Sequence, residues 1–208
     1  NQPAAPLAEA LIVPKDSAIQ SVQDLKGKRV VLNKGSNVHY LLLKVLEANH
    51  LKLDDIQVVY LPPADARAAF EKGAVDAWVI WDPFFAAAEK QLNAKVIATG
   101  QNLVNNHQFY LADRKFAEQH PDVLKIVVNE LNTTTQWVSQ HQTDAAKLLE
   151  KPTGLPLDIL NTSISRMGFG VTPISNDVVK KQQAVADAFY QQKLIPNKIN
   201  IQAAVLAN

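Results

Sequence analysis

Cysteine is missing from all 208 residues, so disulfides, thiolate metal sites and thiol nucleophiles are excluded outright. Long apolar runs are missing too, since no stretch approaches the roughly 20 residues that a membrane-spanning helix needs. Charge of either sign does not accumulate: 21 Lys and Arg face 20 Asp and Glu, for a formal net charge of +1. With no basic run standing out, no nucleic-acid partner is expected. The chain opens on Asn1-Gln2-Pro3, which is neither an initiator Met nor a basic-then-apolar export signal. That start reads as a chain processed, trimmed or cut from something longer. What is present is ordinary for a globular protein, 47% hydrophobic and 20% charged, and long enough for one sizeable core or two small lobes.

The first half alternates short apolar runs with helical spacing, the pattern of βαβ units and a parallel sheet. Strands are expected at Leu7 to Val13, Arg29 to Leu32, Ile56 to Leu61, Ala77 to Ile80, Lys95 to Ala98 and Phe109 to Ala112. Val38, Leu41, Leu42, Val45 and Leu46 fall on one helical face that ends near Asn49, and Ala64 to Lys72 is closed by Gly73. After about residue 113 the chain turns helical. Pro121 opens one helix, and others are expected at Asp144 to Leu149, Pro156 to Met167 and Asn176 to Gln192, the last capped by Ser175. This helical half has no sheet of its own to cover, and a helical layer needs an apolar face to pack on. A sheet-forming N-terminal segment is therefore expected to be absent from the chain.

The segment Arg29-Val30-Val31-Leu32-Asn33-Lys34-Gly35-Ser36-Asn37-Val38-His39 carries a strand through a glycine turn into a helix. Such a junction exposes the unpaired N–H groups of the first helical turn at the positive end of the helix dipole, a ready anion site. Ser36 and Asn37 add a hydroxyl and an amide. A sulfonate or carboxylate fits, whereas a nucleoside triphosphate does not, because the P-loop spacing is missing. Taken alone, Ser or Asn after Gly is more often only an N-cap, and His39 more often a surface residue or one behind the ligand contacts, so both roles stay open.

A second segment, Gly73-Ala74-Val75-Asp76-Ala77-Trp78-Val79-Ile80-Trp81-Asp82-Pro83-Phe84, again runs from strand to helix, with Pro83 suited to the first helical position. Alternation through Ala77, Val79 and Trp81 places Trp81 at the strand's carboxyl end, where ligands of open α/β sheets bind. Its indole suits an alkyl chain, though core packing is as good a reading. Asp82 would repel a bare sulfonate, which favours helix capping or the orientation of a neighbouring Arg or Lys. The stretch from Pro62 to Phe70 looks architectural, while Asn102, Asn105, Asn106, His107 and Gln108 form a polar connection suited to a hinge.

Together these segments resemble the aliphatic sulfonate-binding proteins of the nitrate/sulfonate/taurine ABC importer family. The resemblance covers Ser21 to Val30, the Lys34-Gly35-Ser36-Asn37 turn, Pro63 to Phe70, Val75 to Trp78 and Ile80-Trp81-Asp82-Pro83, in the family's order and spacing. Asn37 stands where close relatives commonly carry a second Ser. The resemblance implies an α/β, two-lobed type II periplasmic-binding-protein fold with the first half of the first lobe absent. Residues 1–15 would belong to the first lobe and a crossover, 16–104 to the second lobe, and 105–208 to the return crossover and the helical part of the first lobe.

It further implies capture of a small alkanesulfonate, with Gly35, Ser36, Asn37, Val38, His39, Trp81 and Asp82 at the site. Delivery would be to a membrane ABC permease from the periplasm, without cofactor or metal. Taurine, nitrate or a related organic anion are alternative ligands. The missing segment invites a domain-swapped or associated assembly. An enzyme on the same scaffold, desulfinase-like or acting on pyrimidine precursors, is the competing class. Against it stand the absent Cys nucleophile, the absent Gly-x-Ser-x-Gly elbow, and five His without metal-type pairing.

Overall fold

The computed structural model describes residue 1 and residues 3–205, so the last three residues of the expected 105–208 segment lie outside the described residues. Among the described residues five strands are formed, β1 (Glu9–Val13), β2 (Arg29–Leu32), β3 (Gln57–Tyr60), β4 (Ala77–Trp81) and β5 (Lys95–Thr99). The helices are α1 (Asn37–Ala48), α2 (Pro63–Glu71), α3 (Phe84–Leu92), α4 (Arg114–Gln119), α5 (Pro121–Gln140), α6 (Gln142–Thr153), α7 (Leu157–Ser165) and α8 (Asn176–Gln191). Two compact units result: a sheet unit of Ala5–Asn106 and Ala146–Met167, and a helical unit of Asn1–Ala4, His107–Ala145 and Gly168–Asn208.

The strands of the sheet unit lie in the order β3-β2-β4-β1-β5. β2 runs parallel to β3 and β4, as the βα alternation predicts, but β1 is antiparallel to both β4 and β5. The expected all-parallel sheet is thus corrected to a mixed one. The physical reason is visible in β1 itself: every residue of Glu-Ala-Leu-Ile-Val is buried, so the strand must be covered on both faces and cannot sit at an edge. β1 lies inside this sheet, and residues 146–167 fall in the same unit.

Alternating residues feed two cores. Leu11, Val13, Val30, Leu32, Ala77 and Val79 pack with Val38, Leu41, Leu42 and Val45 of α1. On the opposite face, Ala10, Ile12, Val31, Trp78 and Ile80 pack with Ala66 and Phe70 of α2 and Phe85 and Ala88 of α3. The period of two along the strands and of 3.6 along α1 makes both faces possible. Each fully buried leucine or isoleucine contributes about 2 kcal/mol of transfer free energy.

The helical unit is built from α4, α5 and α8. Asp113 caps α4 by accepting from the Phe116 N–H, and Ser175 caps α8 by accepting from the Val178 N–H. Asn132 Oδ1 accepts from the Val171 N–H, and Gln183 ties α8 to the backbone of Ile199 and Ile201. α5 has no buried residue along its 20 positions, and Val123, Ile126 and Val127 are exposed. Phe109 to Ala112, expected as a strand, is irregular. A strand needs a partner for its amides, and none pairs with this segment among the described residues; Leu111 is 92% exposed.

Candidate functional site

The junction of β2 and α1 is shaped by Gly35, whose φ of 72° lies in the left-handed region that favours glycine. Its N–H donates to His39 Nδ1 at 3.1 Å. The imidazole is fully buried and packs on Tyr60 with ring centroids 5.4 Å apart. Burial, reinforced by the Lys34 charge, pushes His39 down to about 4, so it is neutral near pH 7 and can accept that bond. In these contacts His39 braces the turn from below.

Ser36 occupies the N-cap position of α1 without a side-chain capping bond, because its hydroxyl donates instead to the Asn33 carbonyl at 2.7 Å. Among the described residues no protein acceptor takes the N–H of Ser36, Asn37 or Val38. The positive end of a 12-residue helix is therefore left open. The Val38 side chain is buried in the α1 core, which leaves only its backbone N–H for a ligand.

Asn37 does not present its amide N–H groups outward. Nδ2 donates to Glu9 Oε2 at 2.6 Å and to Asn106 Oδ1 at 3.3 Å. Asn106 in turn donates to the Ala5 carbonyl at 3.0 Å. Asn37 is thus a clasp joining the start of α1 to the start of β1 and to the loop after β5. Both of its amide N–H bonds are engaged within the protein.

Trp81 closes β4. In the β1–β4 ladder its Cα lies opposite Glu9, so both residues project on the α1 face. Carrying the Val31–Trp78 register of β2 and β4 three residues further puts Lys34 level with Trp81. The indole is half-buried, touches both cores, and meets Phe84 edge-on with centroids 6.5 Å apart. The carboxyl ends of β2 and β4 and the beginning of β1 thus converge at the open turn of α1.

Asp82 is buried and turned away from that turn. Oδ1 accepts from the Ala86 N–H of α3 at 2.9 Å and lies 3.5 Å from Arg166 Nη1 at the end of α7. Arg166 also binds Glu89 at 2.6 Å and stacks over Phe85, 4.1 Å from the ring centroid. Burial pushes Asp82 up to about 6 despite Arg166 and the Ala86 N–H, which both favour the anion. Capping and orientation are its observed contacts. Pro83 precedes α3 at the N-cap rather than standing at the first helical position, because Asp82 already receives an N–H from inside the helix.

Two residues escaped the sequence reading. Glu9 is 1% exposed and heads β1, an interior strand between β4 and β5; a lone carboxylate at the start of a wholly apolar run was the available signal. Arg166 had no local signal, since its partners are 84 and 77 residues away. Among the described residues no group of three or more His, Asp or Glu is arranged to hold a metal.

Comparison with known proteins matches residues 6–145 to the profile of a family described as NMT1/THI5 like. A putative aliphatic sulfonates-binding protein of Escherichia coli K12 is 38% identical over 98% of this chain and 64% of its own length; the chain thus spans less than two thirds of that curated relative. The crystal structure of the periplasmic aliphatic sulphonate binding protein of Escherichia coli superposes with a TM-score of 0.92 at 38% identity, over 98% of this chain and 70% of the other. The alkanesulfonate-binding protein of Xanthomonas axonopodis pv. citri bound to MOPS superposes at 0.91 and 38% identity, over 98% and 71%.

Proposed function

The chain belongs to the NMT1/THI5-like family, and on that premise we propose that it is part of the solute-binding component of an ABC importer for small alkanesulfonates. The carrying observation is the open first turn of α1, where the N–H groups of Ser36, Asn37 and Val38 have no protein acceptor among the described residues. A sulfonate presents three acceptor oxygens and one negative charge, which matches a set of convergent N–H donors at a helix start. Trp81 covers the alkyl portion, and Gly35 and His39 hold the turn in shape. A relative of 38% identity named for aliphatic sulfonates, and a neighbour of the same identity bound to the sulfonate MOPS, support this ligand class.

In this reading the protein works outside the cytoplasmic membrane and hands its cargo to a permease without chemical change. The passages at Ala4–Ala5 and Asn106–His107 serve as hinges; Ala5 and Asn106 are joined by hydrogen bonds of 3.4 and 3.0 Å. The apolar side chains exposed on α5 favour association of the isolated chain, so light scattering is expected to give a mass above that of one copy. The function is tested by calorimetry with ethanesulfonate, taurine, nitrate and sulfate. Saturable binding of ethanesulfonate, weakened at least tenfold by Gly35→Ala, is the expected result. Absence of heat with the whole panel sinks the reading, and release of sulfite from a bound sulfonate would move the protein among enzymes.

A further inference from the structure

Glu9 is the feature of the site that anion capture leaves unexplained. Its carboxyl group is buried at the start of β1 and accepts one hydrogen bond, from the neutral amide of Asn37. No Lys or Arg lies within ion-pairing distance of it among the described residues. A buried, unpaired carboxylate is expensive, and the inexpensive form is the neutral acid. Asn37 is at the same time the first residue of α1, so the carboxyl group lies one side chain away from the amides proposed to hold the anion. Two negative charges would then lie one side chain apart, the Glu9 carboxylate buried away from water.

Resting on the capture reading above, we propose that Glu9 carries a proton when the anion is bound, so that capture of a small sulfonate takes up a proton and weakens as the solution becomes alkaline. Burial pushes Glu9 up to about 7, the Asn37 bond lowering it only in part, and a bound anion would push it higher. The sign follows. Below pH 7 the proton is already present and affinity is level. Above pH 7 it must be taken from solvent, and affinity falls until the pH passes the value reached in the complex.

The other charged groups around β1 are few. The residue after β4 is Asp82, pushed up to about 6 by burial. α1 brings His39, held down near 4, and the turn before it brings the Lys34 ammonium. β5 carries Lys95 at the far end, opposite Val13, and residues 100–106 carry no charge. Between pH 7.5 and 9, Asp82 and His39 have finished titrating, which isolates Glu9.

Isothermal calorimetry with ethanesulfonate at pH 6, 7.5 and 9, in paired buffers of different ionisation enthalpy, reads both consequences. We expect a dissociation constant about tenfold larger at pH 9 than at pH 6, and a binding heat that depends on the buffer with a slope denoting proton uptake. Glu9→Gln keeps the acceptor for Asn37 and removes the charge; it should bind equally at all three pH values with no buffer dependence. Should that variant fail to fold, the buffer dependence of the unmodified chain still decides the matter. Equal affinity at pH 6 and 9 with no proton uptake overturns the inference and leaves anion capture standing. No binding at any pH overturns both.

Discussion

Two helices in this molecule start with the same residue in the same backbone conformation and yet differ in what they leave exposed. Ser36 before α1 and Ser175 before α8 both occupy the N-cap in extended backbone, at φ −95° and −82°. Ser175 turns its hydroxyl oxygen to the Val178 N–H and closes the helix on itself. Ser36 gives its hydroxyl to the Asn33 carbonyl within the Gly35 turn, and the first amides of α1 stay open. A serine at a helix start is therefore not by itself a sign of either capping or binding. What decides is the loop before it, which at α1 offers a competing acceptor and at α8 does not.

The contrast can be tested from its largest expected effect downward. Glu9 accompanies only the α1 start, and it ionises near pH 4.5 when unfolded but about 7 when folded. Its stabilising contribution is complete below 4.5 and lost as the pH rises through 7. Glu9→Gln should exceed the unmodified chain in stability at pH 8 by up to roughly 3 kcal/mol, and match it near pH 4, as read by urea unfolding at the two pH values. Equal stability at pH 8 would mean that the carboxylate is not buried as described.

Next comes the residue three positions after each serine. His39→Ala removes a fully buried ring and the acceptor for the Gly35 N–H, and should cost about 3 kcal/mol. Val178→Ala, at the half-buried equivalent in α8, should cost under about 1 kcal/mol. Chemical denaturation of both variants, at one pH, gives the difference directly.

Gly35→Ala forces a side chain into φ 72° without meeting any neighbouring atom, so its penalty is backbone strain of about 1–2 kcal/mol, and ethanesulfonate binding should fall with it. The smallest effect belongs to the serines. Ser175→Ala should lose about 1 kcal/mol by removing a true cap, and Ser36→Ala about half of that or less, since no helix amide depends on its oxygen. Thermal melting of the pair would break the comparison if Ser36 proved the more costly loss.

Much of the sheet unit was legible in the residues. The runs Arg29–Leu32 and Lys95–Ala98, and the helical spacing of Val38, Leu41, Leu42 and Val45, appear where alternation and a 3.6-residue repeat put them. Period two also put Trp81 at the carboxyl end of its strand, where β4 ends. Phe109 to Ala112 misled because apolar, β-prone residues satisfy a strand pattern whether or not a neighbouring strand exists to pair with them. β1 was recognised as a strand, but its direction and its place between β4 and β5 were not, since both depend on pairing with those sequence-distant partners.

The site divided along the same line. Gly35, Ser36 and the open amides of α1 follow from a local strand–turn–helix pattern. That Asn37 spends its amide on Glu9, that His39 lies under the turn, and that Asp82 answers to Arg166 all depend on side chains 28 to 84 residues away or on burial.

The order of residues alone determined most of the strands and helices of the sheet unit, which turn needs glycine, and which family the chain resembles, because those properties rest on neighbours within a few positions. Only the tertiary structure decided which polar groups are already paired and which remain open, because a hydrogen bond or a buried charge is set by whichever distant segment the packed core brings within about 3 Å.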